Sequence, residues 1–255
     1  MNKARTHLES GVRPVTIIKG RGSASQIAHR FAGDDRQAFD DGWSADADAQ
    51  EATALRTSVE WEQCKSALSR HGSPDLPFHL GLNPYRGCEH GCIYCYARPT
   101  HSYLGYSPGL DFETRLIAKQ NLPEVLRAEL SRPGHQPGVV MLGSVTDCYQ
   151  PVERELGLTR RVIEVLAQAH HPFSIVTKGS GVERDLDLLA PLAQRHLVAV
   201  YVTLTTLQPE LARQLEPRAA APHRRLRMIK TLSEAGIPVG VSLAPQIPFL
   251  NDDME

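Results

Sequence analysis

The 255-residue sequence has no run approaching the ~18 apolar residues of a membrane span, and its start, "MNKARTHLESGVRP", lacks the apolar core of a signal peptide. Neither sign of charge dominates, because 28 Lys and Arg stand against 29 Asp and Glu. No overall field therefore marks a nucleic-acid or membrane partner, which leaves only a local basic patch open. Cysteine is scarce at five residues, and the chain reads as cytoplasmic, where disulfides are rare and clustered thiols hold metal or do redox chemistry. What is present is 41% hydrophobic residues, enough for a sizeable core in one large domain or two small ones.

Residues 1 to 72 are polar and irregular. The stretch "AGDDRQAFDDGWSADADAQEA" has no sustained apolar period, so this part is expected to be a loosely ordered, partly disordered arm. Within it "VTIIKGRG" (15–22) is expected to dock as an edge segment, with Phe31, Phe39 and Trp43 as anchors. From residue 73 to 255 short apolar runs alternate with amphipathic stretches. Strands are expected at 79–85, 138–145, 172–178, 197–204 and 237–244. Helices are expected in "NLPEVLRAEL", "LTRRVIEVLAQAH", "ERDLDLLAPLAQR" and "PHRRLRMIKTLSEAG", the last stopped by Gly236. Such alternation predicts βα units on a parallel sheet, whose chemistry gathers in the loops after the strands. Those loops read "RGCEHGCIYCYAR", "TDCYQP", "TKGSG", "TTLQPE" and "PQIPFLND".

The first loop carries Cys88, Cys92 and Cys95 in C-x3-C-x2-C spacing. Thiolates bind soft metals and iron-sulfur clusters, and three on one loop fit either a site completed elsewhere or a cluster with one open iron. A structural zinc site needs a fourth ligand from Cys64, Cys148, His90 or His101, none of them at customary C-x2-C spacing.

With Tyr94 at the aromatic place of C-x3-C-x-aromatic-C, the loop resembles the radical S-adenosylmethionine (radical SAM) superfamily. The likeness extends over 73–255, through "SPDLPFHLGLNPYRGCEHGCIYCYARPTH", "SVTDCYQPVER", "VTKGSGVERDLD", "LEPRAAAPHRRL" and "APQIPFLND", to its spore-photolyase-like (DNA repair photolyase-like) branch. The resemblance implies an α/β fold, a partial parallel (β/α) barrel of the radical SAM type. It also implies a [4Fe-4S] cluster held by Cys88, Cys92 and Cys95, with S-adenosylmethionine (SAM) on the fourth iron. An external donor of flavodoxin or ferredoxin type would reduce the cluster, and SAM would be cleaved to methionine and a 5′-deoxyadenosyl radical that abstracts hydrogen from a substrate. The substrate is left unidentified, with nucleic acid one option. A non-enzymatic iron-sulfur or zinc module, or an inactive truncated member, is the alternative.

By the same resemblance Tyr94 packs near the SAM adenine, Asp147 receives its ammonium, Lys178 faces its carboxylate, and Thr203 and Thr205 bond its ribose or carboxylate. Each has a plainer role: loop packing for Tyr94, a helix cap for Asp147, a surface cation for Lys178, strand preference for the threonines. Arg86 is expected either to be a plain surface charge or, beside an anionic cluster, to tune its potential. Ser144 stands where spore photolyases carry a donor cysteine, and Cys148 reads as a small hydrophobe. Arg218, Arg224, Arg225 and Arg227 form a cluster able to meet phosphate or to pair with nearby glutamates. Relatives continue past "LND" and have glycine at Phe249, so this chain is expected to hold five of six strands. "IPVGVSLA" then becomes an unpaired edge buried on both faces, with the 15–22 segment as its cover.

Overall fold

The computed structural model describes residues 18, 20–31 and 55–252. In chain order the elements are β1 (Ser58–Glu62), β2 (Ser69–Arg70), β3 (Leu80–Leu82), β4 (Tyr85–Arg86), α1 (Asp111–Thr114), β5 (Arg115–Lys119), α2 (Leu122–Leu130) and β6 (Val140–Leu142). They continue as α3 (Glu153–Leu156), α4 (Leu158–Gln168), β7 (Phe173–Thr177), α5 (Leu186–Gln194), β8 (Val198–Thr203), α6 (Pro209–Leu215), α7 (Pro222–Glu234) and β9 (Val239–Ser242). Five strands, β3, β6, β7, β8 and β9, run parallel in that spatial order, and β2 adds an antiparallel edge beside β3.

Register explains why these short runs form one sheet. Leu80, Val140, Phe173 and Val198 lie in one row across it, and Leu82, Leu142, Ile175, Val200 and Val239 in the next but one. Alternate strand residues share a face, so these rows meet the apolar sides of α2, α4, α5 and α7 in one core. The intervening row, Gly81, Met141, Ser174, Ala199, is small or polar except for Met141 and faces the other way. The sheet is open, with edges at β2 and β9, and matches the expected partial barrel rather than a closed one.

In α4, Leu158, Val162, Ile163, Val165 and Leu166 are buried on one side, as the 3.6-residue period predicts. Gly236, at φ +74, terminates α7 in the left-handed conformation that glycine adopts without steric penalty. The helix expected at 183–195 is split, because residues Ser180–Asp185 form a 3-10 turn before α5 begins.

Three expectations are corrected. The arm does not extend to residue 72, since β1 and β2 are ordered strands and residues 20–31 include a segment packed on the cysteine loop. The strand at 79–85 is two strands: Leu80–Leu82 stays in the main sheet, while Tyr85–Arg86 turns away to pair antiparallel with β5. β1 pairs parallel with β5, so the small sheet runs β1, β5, β4. Third, β9 is not buried on both faces; its residues are half-buried or exposed, with Val241 open to solvent at the sheet edge. Half of the 15–22 segment, residues 15–17 and 19, together with Phe39 and Trp43, lies outside the described residues, while the described Phe31 is exposed. No helix among the described residues is long and apolar enough to cross a membrane.

Candidate functional site

The polar ends of the parallel strands surround a cavity of ≈ 460 Å³. Cys88, Cys92 and Cys95 all line it, as do His90, Tyr94 and Tyr96 from the same loop. Ser144 and Asp147 enter from the loop after β6, Thr177 and Lys178 from the end of β7, Thr203 from β8, and Ser242 and Ile247 from β9 and beyond. This is where a parallel sheet exposes its strand termini and where side chains from distant parts of the sequence converge.

Local geometry delivers the thiols. Gly87 has φ +79, and a side chain there would press within 3 Å of Leu116, His101 and the Phe112 carbonyl; this close passage lets the Cys88 N–H donate to Phe112 O at 2.9 Å. On the far side Ile93 N–H donates to Leu215 O at 3.0 Å, and Arg218 N–H to His90 O at 3.2 Å. The Cys88 thiol is buried, and burial, reinforced by Asp147, raises its pKa well above the ordinary thiol value. Burial also pushes Cys92 up to about 12, against the opposing charge of Lys178. These thiols therefore stay protonated in the metal-free chain and need a positive inorganic partner to become thiolates. Among the described residues no three His, Cys, Asp or Glu converge on one point as a single metal ion requires. The two other cysteines, Cys64 and Cys148, are buried in the main apolar core, so Cys148 is the small hydrophobe expected.

Asp147 is more committed than expected for a ligand contact. Its Oδ1 accepts from Tyr149 N–H and Thr177 Oγ1–H, both at 2.8 Å, and Oδ2 accepts from Lys178 N–H at 2.6 Å. The buried His90 Nδ1 lies 3.2 Å from Oδ2 without an in-line hydrogen bond. Burial works against the ionised carboxyl, yet His90 and these donors outweigh it and hold the pKa at about 2. Asp147 thus clasps the end of β7 to the loop after β6, and it does not cap the following helix α3, whose first residue follows Val152 without a side-chain cap.

Lys178 and Thr203 line the cavity, whereas Thr205 does not. Thr205 belongs to a buried cluster that sequence reasoning missed. Its centre is Glu216, whose Oε1 accepts from Tyr94 O–H and, at 2.6 Å, from Thr205 O–H, with Lys178 Nζ 4.0 Å away. Its Oε2 meets Arg225, a fully buried guanidinium that also donates to Thr203 O at 2.9 Å and Ala220 O at 2.6 Å. Burial opposes the charge on Glu216, but Arg225 and then Lys178 pull its pKa below the ordinary carboxylate value. Tyr94, set on this base, lines the cavity and turns its ring face toward Lys178, whose Nζ lies 5.9 Å from the centroid. A "LEPR" stretch just before a helix was the only signal for Glu216.

The arginine cluster does not assemble as a phosphate site. Arg218 bonds Glu89 at 3.1 Å, Arg224 pairs with Glu183 and Arg225 with Glu216; of the expected glutamate partners Glu210, Glu216 and Glu234 only Glu216 is used, by an Arg225 that is buried instead of on a solvated face. Arg86 is the surface charge of its two alternatives: it forks onto Glu62 at 2.7 and 2.8 Å on the exposed small sheet and is not among the cavity residues. Phe249 has φ +64, the left-handed region that glycine occupies freely, and its ring is wholly exposed. The departure from glycine therefore costs backbone energy of about 1 kcal/mol or more.

Comparison with known proteins fits this geometry. An uncharacterized protein of Mycobacterium tuberculosis is 44% identical over 193 residues, covering 75% of this chain and 57% of its own length. An uncharacterized protein of Methanocaldococcus jannaschii is 30% identical over 171 residues, covering 67% of this chain and 61% of its own. The chain thus spans less than two thirds of these relatives. Among solved structures, spore photoproduct lyase complexed with dinucleoside spore photoproduct matches with a TM-score of 0.54 at 16% identity, covering 74% of this chain and 52% of that one. A double mutant of the same enzyme, with bound AdoMet and dinucleoside spore photoproduct, matches with a TM-score of 0.52. These likenesses establish a shared fold. Residues 82–255, which include the cysteine loop and every parallel strand of the main sheet but the start of β3, match the radical SAM superfamily, and the chain belongs to that family.

Proposed function

We propose that this protein is a radical SAM enzyme acting on a substrate not yet identified, with Cys88, Cys92 and Cys95 holding a [4Fe-4S] cluster whose fourth iron is left to SAM. The observation that carries this reading is the meeting of three thiols from one loop in a single cavity, while both remaining cysteines are packed into the core. When bound and reduced by an external donor of flavodoxin or ferredoxin type, the group held by these three residues would supply the electron for reductive cleavage of SAM to methionine and a 5′-deoxyadenosyl radical, the species that would abstract hydrogen from a substrate.

The chain's own residues bind and orient. Lys178, at the cavity wall, offers a charge-assisted donor to a carboxylate. Thr203 can bond a hydroxyl or carboxylate from the same wall, and Tyr94 supplies an apolar ring against which a purine packs. Asp147 and Thr205 act one step back. Asp147 fixes the β7 terminus that carries Lys178, and Thr205 steadies Glu216 beneath Tyr94. Tyr96 is exposed at the mouth and donates to Ser144 O, so these two residues flank the substrate side. Ser144 Oγ lies 3.4 Å from Asn83 Nδ2. A serine O–H is a poor hydrogen donor to a carbon radical, which separates this site from thymine-dimer repair through a donor thiol. A nucleic-acid substrate draws no support from the arginine cluster, now paired internally. The compartment proposed is the cytoplasm, where the thiols stay reduced.

Anaerobic reconstitution with iron and sulfide, followed by dithionite and SAM, tests the proposal. A brown protein that forms 5′-deoxyadenosine is expected; a colourless protein binding stoichiometric zinc and forming none defeats it.

A further inference from the structure

Residues 20–25 lie in a part of the chain with no apolar pattern, yet Arg21 is buried and Gly22 and Ser23 are half-buried beside the cysteine loop. Arg21 is 7% exposed and spends its guanidinium on three acceptors: Glu113 O at 2.7 Å, Leu55 O at 2.6 Å and Thr57 Oγ1 at 3.1 Å. The next two backbone N–H groups, of Gly22 and Ser23, donate to the two carboxylate oxygens of Glu113 at 3.0 and 2.9 Å. Glu113 is fully buried and also receives Arg98 at 2.6 Å. Arg98 then forks onto the carbonyl oxygen of Cys92, at 3.1 Å through Nε and 2.9 Å through Nη2, while Nη1 holds Gly109 O at 3.0 Å. A continuous run of charge-assisted hydrogen bonds therefore joins the segment to the main chain of a thiol-bearing residue.

A second observation is steric. A Cβ built on Gly22 would overlap the carbonyl oxygen of Gly91 and lie 2.8 Å from its carbon, so the two glycine backbones pass each other with no room for a side chain. Gly91 itself has φ +68, and a Cβ there would meet Glu113 Oε2 at 2.9 Å. Thr57 carries the contact further: its hydroxyl donates to Glu89 Oε1 at 2.5 Å, and Glu89 Oε2 accepts from Val152 N–H at 2.7 Å. Both flanks of the Cys88–Cys92 turn are thus gripped by side chains that answer to Arg21. Burying Arg21, Glu113 and Glu89 is costly unless every partner is in place, so the arrangement has one low-energy geometry.

We infer that residues 20–25 are a clasp belonging to the cofactor site, with Arg21 and Gly22 acting as positioning residues that set the Gly91–Cys92 backbone in the shape that accepts the cluster. The inference rests on the reading of the cysteine loop as a cluster site. It assigns a role to a segment upstream of the region that matches the superfamily.

The test uses the full chain and two variants. Gly22→Ala introduces the clash, and Glu113→Gln keeps the shape but removes the charge that joins Arg98 to the clasp. Gly72→Ala is the control, since its Cβ meets open space at ordinary φ. Peptide-resolved alkylation of the metal-free proteins should show Cys92 and Cys95 reacting about tenfold faster in both variants than in the control, as local opening of the loop requires. After reconstitution, iron and sulfide content should fall in both. The clusters that remain in Glu113→Gln should titrate at a more positive potential, because a negative charge behind Arg98 is gone; a purely structural role would lower occupancy without moving the potential. Alkylation rates and iron content at control levels in both variants overturn the clasp. If circular dichroism shows Gly22→Ala unfolded, Glu113→Gln decides alone by the same criteria. If the unsubstituted protein takes up no iron and sulfide, the cluster reading fails, and alkylation of the metal-free chains still decides whether the clasp exists.

Discussion

The parallel strands and the cysteine loop are neighbours held in place by opposite means. β6, β7 and β8 are fixed by rows of Val, Leu, Ile and Phe buried against α2, α4 and α5, a non-directional force that tolerates small changes of shape. The loop has little apolar packing of its own and is fixed by buried ions and main-chain hydrogen bonds from Arg98, Glu89, Glu113 and Glu216. Directional bonds specify atom positions more narrowly than oil-like contacts do, and lose more when one partner goes. A scaffold that can drift thus carries a site that cannot.

Experiments can break that contrast or sharpen it. The greatest effect is expected at the thiols: replacing Cys88, Cys92 or Cys95 with Ala should bring iron and sulfide content to background, while Cys64→Ala and Cys148→Ala retain it. Loss on Cys148→Ala alone would mean a fourth protein ligand. Next, Arg225→Leu strips buried Glu216 of its guanidinium partner and leaves Lys178, 4.0 Å away, as its nearest counter-charge, and urea unfolding should show a loss of about 3 kcal/mol. The Arg225→Leu/Glu216→Leu pair should recover part of it; no recovery would place the cost in packing instead. On the apolar side, Leu166→Ala should cost about 3 kcal/mol through its cavity. In that variant, still folded, alkylation of Cys92 should stay unchanged, and a faster rate would show that scaffold and loop are not separately held.

Acid titration probes the junction between the two regions. The Asp147 carboxyl is held at about 2 against an ordinary value of 3.8, so its contribution is fully present above pH 3.8 and lost as the pH falls through 2. Asp147→Asn should therefore lower neutral-pH stability of the metal-free chain by about 2 kcal/mol and flatten the acid limb between those values. An unaltered limb would show that Asp147 is not the clasp of β7. The smallest effect is expected for Lys178→Ala, which should weaken SAM binding to the reconstituted protein about tenfold, the worth of one charge-assisted bond. Unchanged affinity in a SAM titration would take Lys178 out of the site.

The same contrast explains what the sequence made legible. Strand runs such as "FSIVT" and the amphipathic α4 declare themselves through periodicity, because burial on a face demands it. The thiol trio declares itself through spacing, because one loop supplies all three. The small sheet stays hidden: β4 is two residues long, and β1, "SVEWE", leaves its side chains exposed or half-buried, so neither imprints an apolar pattern. The network around Arg225 and Glu216 is hidden for another reason. Buried ion pairs carry no periodic mark, and four arginines in one stretch look alike until their partners are known. The contact between Gly22 and Glu113 spans 91 positions and leaves only a "GRG" in a polar stretch as its trace.

That separation bears on the order in which the molecule is made. Chains emerge from the ribosome amino end first, so residues 20–25 are synthesised long before Glu113, Arg98 and the cysteines, and before Arg218, which reaches Glu89 across 129 positions. Contacts so distant in sequence form late and slowly, after the intervening chain has been closed into a loop. The βα units, whose contacts are mostly between successive elements, can fold as they appear. Cofactor loading would then have a natural timing: the loop that carries the thiols gains its final backbone geometry only once residue 218 has been made and docked, so a cluster held there would enter after that stretch of chain has folded.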